Sequence, residues 1–307
     1  MEELNTISAS AAAGAQVEQG MMHFDADRFD MAMAMFEAAL ALDPNCAEAW
    51  NGIGRVRYHT GPLDAAIAAY ECAISLNPHY IAAYYGAGIL LSSKLGEYDK
   101  AIAVFQRGLA NNPGDGWMTD SIGSTYARMG RLDEATAVLQ RSLALNPTDT
   151  FALGWLGMIY LRQGRFDESI ALYQREIEAE PTFNAHRVLG YALHLVGQND
   201  EAITHLERAI ALEPKDYEAR AGLARAYRAD GQRQNADAHE QQARAEAYAD
   251  NEYGQACFES VIGNTDAAVA LLKVGLDKQQ AQPGWASIDP EFVFIGDDPR
   301  YKALMDD

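Results

Sequence analysis

Residues Ala47–Pro78 read AEAWNGIGRVRYHTGPLDAAIAAYECAISLNP. Trp50, Ile53 and Gly54 fall at i, i+3 and i+4, a single stripe on a helix over 47–60, and Ala66, Tyr70 and Ala73 form the matching stripe on a helix over 64–77. Gly54 and Ala66 are the small members of the two stripes. Small residues let helix backbones approach closely, so the rings of Trp50 and Tyr70 are expected to be buried on either side. Gly61 suits a turn that needs a left-handed residue, Asp64 is placed to cap the second helix, and Pro78 ends the unit because its ring cannot continue a helix. The stretch predicts a helix–turn–helix.

The same pattern recurs along the chain. Pro44, Pro78, Pro113, Pro147, Pro181 and Pro214 are spaced 34, 35, 34, 34 and 33 residues apart. Turn glycines keep that beat at Gly61, Gly96, Gly130, Gly164, Gly197, Gly231 and Gly263, with Asp27 standing in for the first, since Asp tolerates the left-handed conformation. An acid follows three residues later at Asp30, Asp64, Asp99, Asp133, Asp167, Asp200 and Asp266, read as the N-cap of each second helix. Three departures stand out. One extra residue lies around Ser92–Gly96 and should bulge that turn, and one is missing between Pro181 and Phe183. The stretch 234–250, QNADAHEQQARAEAYAD, is strongly polar, and Glu252, Gln255 and Glu259 stand where other units carry packing residues.

These residues resemble the tetratricopeptide repeat family, whose 34-residue unit places large and small packing residues in this order. The resemblance implies an all-α fold, a right-handed α-α superhelix (solenoid) of about eight units near 13–46, 47–80, 81–115, 116–149, 150–182, 183–216, 217–248 and 249–282. Residues 1–12 are read as disordered. Residues 283–307 lack the period but contain IDPEFVFIGDDPRYKALMDD, similar to the DPxFxxLxDDPRFxxLL ending found after bacterial tetratricopeptide arrays, and are read as a capping segment over the last unit.

Composition narrows the function. A net charge of −20 and a pI near 4.6 argue against nucleic acid or an anionic membrane as partner. No apolar run is long enough for a transmembrane helix, and the acidic N-terminus is unlike a secretory signal, so a cytoplasmic address is expected. Cys46, Cys72 and Cys257 lack metal-ligand spacing and suit a reducing compartment. The seven histidines form no HxxxH or HExxH pair, and no phosphate loop or nucleophile elbow is present. No enzyme activity, metal or cofactor is expected.

What remains is the inner face that the family lines with the first helix of each unit. Carried over by register, its candidate partner-binding residues are Asn51, Arg55, Tyr58 and His59, then Tyr85, Trp117, Arg128, Phe151 and Arg162, then Arg187, Tyr191, His194, Arg225 and Arg228. The face holds arginines but no lysine and is close to neutral on a strongly acidic chain. Arginine plus aromatic residues is the composition of binding surfaces. The expectation is a non-enzymatic adaptor or scaffold holding a protein or peptide, with an acidic stretch favoured. The alternatives are a self-assembling structural scaffold and a regulatory subunit of a separate enzyme. Asn51 and Arg55 occupy positions of the family's chaperone-tail clamp, but the rest of that clamp is not evident.

Overall fold

The structure, a computed structural model, describes the backbone of residues 2–306 and the side chains of residues 10–305. The chain divides into two units, Met1–Thr125 and Tyr126–Asp307. The first contains α1 (Glu2–Asp25), α2 (Phe29–Leu42), α3 (Ala47–Thr60), α4 (Leu63–Leu76), α5 (Ile81–Ile89), α6 (Tyr98–Asn111) and most of α7 (Gly116–Arg128). The second contains α8 (Leu132–Leu145), α9 (Thr150–Arg162), α10 (Phe166–Ala179), α11 (Phe183–Leu195) and α12 (Asn199–Leu212). It continues with α13 (Tyr217–Ala229), α14 (Arg233–Ala247), α15 (Glu252–Ile262) and α16 (Thr265–Asp277). A helix therefore stands where residues 1–12 were expected to be disordered, consistent with the alanines at 9 and 11–13, the best helix formers. Met1 lies outside the described residues.

Turn chemistry sets the hairpins. All seven turn glycines have positive φ, from 67° at Gly61 to 93° at Gly263, and Asp27 takes the same conformation at 55°. Within the hairpin α3–α4, Ala66 is fully buried and the Tyr70 ring fills the space that Gly54 leaves: a Cβ on Gly54 would lie 2.6 Å from that ring. Trp50 differs from its expected role. It is only half-buried, and its indole Nε1 donates to the Pro44 carbonyl at 3.3 Å, so Tyr70 rather than Trp50 carries the packing of this unit.

The expected Asp caps also require correction. Each second helix begins one residue earlier than its Asp, so Asp30, Asp64, Asp99, Asp133, Asp167, Asp200 and Asp266 lie inside the first turn, and none of these helices has a side-chain cap hydrogen bond. An acid there still meets the positive end of the helix dipole. Side-chain capping belongs to the first helices instead. Asp149, Thr182, Asp216 and Asn251 accept from the backbone N–H three residues on, and Asp115 does the same for Met118.

The irregularities of the repeat are absorbed locally. The extra residue near Ser92 is taken up by a π-helical turn, Leu90–Lys94, in which Leu95 N–H donates to the Leu90 carbonyl at 3.2 Å. A single wide turn is how a helix accommodates one inserted residue. The shortened junction at Pro181 leaves Thr182 as the cap of α11. The polar stretch in α14 and the acid at 259 answer each other: Glu259 is fully buried, and Arg244, Tyr248 and Asn264 all donate to it at 2.7–2.9 Å. Glu240, which interrupts the line of packing residues, accepts from Arg228 and Arg244.

After α16 come α17 (Pro283–Ala286), a 3-10 helix (Pro290–Ile295) and α18 (Pro299–Asp306). Phe292, Ile295 and Tyr301 pack with Ala256, Cys257, Ala268 and Leu272 of α15 and α16. The same segment also reaches the first helices of earlier repeats in its unit, which a capping role alone does not describe.

Candidate functional site

In the first unit, Asn51, Arg55, Tyr58 and His59 of α3 and Tyr85 of α5 come together. With Val17, Met21 and Phe24 of α1, and with Tyr70, Tyr80 and Ile89, they line one concave pocket of about 620 Å³. The Arg55 guanidinium lies 4.1 Å from the Phe24 ring centre and 3.2 Å from Met21 Sδ. Among the described residues no carboxylate lies within ion-pair distance of Arg55. His59 stacks on Phe29 with ring centres 5.4 Å apart, and the Tyr85 hydroxyl donates to Asp115 Oδ1 at 2.8 Å. Asn51 is 5% exposed, and its Oδ1 has no hydrogen-bond partner. An unpaired acceptor in an apolar wall costs free energy until a donor reaches it.

The candidates of the second unit are arranged differently, because the chain's own C-terminal segment lies on them. Arg162 donates through Nε to the Ser287 carbonyl and through Nη2 to the Tyr301 hydroxyl, both at 3.0 Å. Arg187 stands 3.4 Å from Glu291 and 3.5 Å from Asp216, and it also pairs with Glu218. The Phe294 ring packs edge-on to Tyr191, near His194, with the Arg225 guanidinium 4.3 Å from its centre. Arg128 lies over Trp285 and Trp155. Phe151 borders a second cavity of about 270 Å³, between α9, α11 and the segment around Trp285–Glu291.

Two candidates join neither group. Arg228 points to Glu240 and Asp237 of α14, and Trp117 on α7 is exposed and does not line the first pocket. Conversely, Tyr70 and Tyr80 line that pocket although they lie outside the register positions used to find it. Their signal was available: Tyr70 is large enough to pass through the gap that Gly54 and Gly86 leave.

Charge in the second site follows from burial. Burial works against a charge on Arg187, yet Glu291 and Asp216 hold its guanidinium above its usual range. Burial likewise holds the Glu291 carboxyl well above the ordinary carboxylate range, even beside Arg187. Glu176, on the wall of the same cavity, is pushed up to about 7, first by burial and then by Glu180.

That shift has a checkable consequence. The folded chain holds the Glu176 proton more tightly than the unfolded chain between the ordinary value of 4.5 and about 7, so stability falls as pH rises through that window. Glu176→Gln is expected to match the parent at pH 4 and to be more stable by about 2–3 kcal/mol at pH 8. Urea midpoints at the two pH values test this. An equal difference at both would remove the titration from the explanation.

Paired antiparallel helices with glycine turns, and grooves lined by the first helix of each pair, define a helical-hairpin repeat protein. A family model described as the cilia and flagella-associated protein 70 C-terminal domain matches residues 46–260, and the tetratricopeptide repeat model matches residues 13–46. The chain belongs to the tetratricopeptide repeat family. Among solved structures it is similar to PilW, a type IV pilus biogenesis factor, at 21% identity and TM-score 0.57, covering 66% of this chain and 94% of that one. It is also similar to a tetratricopeptide repeat protein from Parabacteroides merdae, at 17% identity and TM-score 0.59, covering 87% and 99%. PilF of Pseudomonas aeruginosa matches at 16% identity and TM-score 0.57, covering 67% and 94%. At these identities the likeness concerns the fold alone. No curated protein matches the chain. Among the described residues, no helix is long and apolar enough to cross a membrane.

Proposed function

We propose that the protein is a non-enzymatic adaptor whose first unit holds a short segment of another protein in the pocket between α1, α3 and α5. The observation that carries this reading is the pocket's combination of an apolar, aromatic wall with two polar groups that the chain leaves available, Asn51 Oδ1 and the Arg55 guanidinium. An extended segment brings backbone N–H groups at regular spacing, and one of them satisfies Asn51. A carboxylate on the segment pairs with Arg55, and an apolar or aromatic side chain fills the space beside Met21, Phe24 and Ile89. The pocket's volume of about 620 Å³ accommodates two or three side chains of such a segment.

The expected result of Arg55→Glu combined with Ile89→Glu is at least a tenfold loss of the proteins retained specifically from native cell extract, with the helical spectrum and melting temperature unchanged. Ile89 is partly exposed and Arg55 makes no ion pair, so both changes are tolerated by the fold. An unchanged set of retained proteins would sink the proposal.

A further inference from the structure

The wall that residues 285–295 add to the second unit is part of its core. Ala286, Asp289, Glu291, Phe292 and Ile295 are at most 3% exposed. Arg162 Nε donates to the Ser287 carbonyl at 3.0 Å, Ser260 Oγ to the Glu291 carbonyl at 2.7 Å, and the Tyr253 hydroxyl to Asp289 Oδ2 at 2.6 Å. A wall held this firmly leaves, between itself and α9, α10 and α11, a bounded cavity of about 270 Å³, at the small end for ligand sites. Phe151, Trp155, Met158 and Trp285 give it an apolar lining, with ring centres 6.0 Å apart for Phe151 and Trp155 and 6.2 Å apart for Trp155 and Trp285. Two carboxyl groups, Glu176 and Glu291, and one cation, Arg187, also line it. Arg187 is already shared among Glu291, Asp216 and Glu218. Glu176 is 7% exposed, and its Oε2 has no hydrogen-bond partner. Gly154 of α9 makes room for it, since a Cβ there would stand 3.0 Å from that oxygen. A buried carboxyl without a partner either keeps its proton or takes up a cation.

We propose that this cavity binds a small organic ammonium ion, with its charged head on Glu176 and its apolar body among Phe151, Trp155, Met158 and Trp285. An N–H of the head donates to the Glu176 carboxylate, and the low polarity of the walls strengthens that bond. Arg128, which does not line the cavity, lies 5.5 Å from the Trp155 ring centre and 4.9 Å from that of Trp285. The indoles therefore supply contact area, while Glu176 supplies the charge. The groups around Glu176 leave the site acidic. Glu291 and Glu180 are acids, Arg187 is committed to other carboxylates, and the Tyr173 hydroxyl donates to the Gly154 carbonyl. An anionic or aprotic neutral ligand would leave Glu176 unpaired. Burial and Glu180 push Glu176 up to about 7, so near neutral pH the ion enters by replacing a proton, which Glu176 releases to solvent. The site lies wholly within the second unit and does not depend on the pocket of the first.

The probe is benzylamine, titrated calorimetrically into the full-length chain at pH 8, with benzyl alcohol as its neutral isostere. Benzylamine is expected to bind at least tenfold more tightly than benzyl alcohol, and at least tenfold more tightly to the parent than to the Glu176→Gln chain. On the parent its affinity is expected to be about tenfold weaker at pH 6 than at pH 8, since the amine stays charged throughout while Glu176 gains its proton. The alcohol comparison and the pH profile need no variant, so they decide the matter should Glu176→Gln not fold. No benzylamine binding at millimolar concentration, equal binding of the alcohol, or equal affinity at the two pH values overturns the proposal. Full binding by a folded Glu176→Gln chain places the amine elsewhere and overturns it as well. Arg55→Glu combined with Ile89→Glu in the first unit is expected to leave benzylamine binding unchanged, which separates this test from that of the first pocket. A loss of binding in that chain would assign the amine to the first pocket and overturn the site proposed here.

Discussion

Tyr70→Ala is expected to lower the unfolding free energy of the first unit by about 3–5 kcal/mol, the range for removing a fully buried ring. The ring is 2% exposed and touches both neighbouring first helices: a Cβ at Gly54 would sit 2.6 Å from it, and one at Gly86 2.3 Å. Deleting it therefore opens a cavity between repeats, where neighbouring backbones cannot close in without moving whole helices. Tyr70→Phe keeps the ring and should cost far less. Trp50→Ala, at a half-buried position, should also cost less than Tyr70→Ala. Denaturant unfolding of the three variants provides the ranking, and a Trp50 effect equal to or larger than that of Tyr70 would contradict the packing described here.

Arg187→Ala carries the second large effect, about 3–5 kcal/mol at neutral pH, because it leaves buried carboxylates without their counter-charge. Asp216 and Glu291 are 7% and 3% exposed, and Glu218 also loses its partner. Removing the arginine raises the folded-state pKa of Glu291 further, so its share of the cost is present above its unfolded pKa and shrinks as acid protonates it. Urea unfolding of Arg187→Ala should approach that of the parent near pH 4. A cost that does not depend on pH would point to lost packing by the arginine stem instead of lost charge.

Much of the fold was legible because each turn depends on a residue with few substitutes. Glycine, and after it Asp or Asn, sits most comfortably at positive φ, so the turns at the seven glycines and Asp27 could be located by residue type. The π-helical turn was visible as one surplus residue between conserved spacings within the chain itself. The Asp caps were misplaced because position within a first turn shifts by one residue without changing the pattern, and both placements favour an acid. The repeat register singles out the arginines as a group, but their environments were not legible. Arg55 faces an open pocket, whereas Arg162, Arg187 and Arg225 are engaged by residues more than thirty positions away. No periodicity within a repeat encodes a contact made by a segment outside the repeats.

The order of that contact along the chain matters during synthesis. The helices that residues 285–295 touch, among them α7 at Arg128, α9, α11, α13 and α15, are encoded before them. Domains generally fold as units, N-terminal ones first, during synthesis. The hairpins that carry Arg162, Arg187 and Arg225 are therefore synthesised before the segment that contacts them.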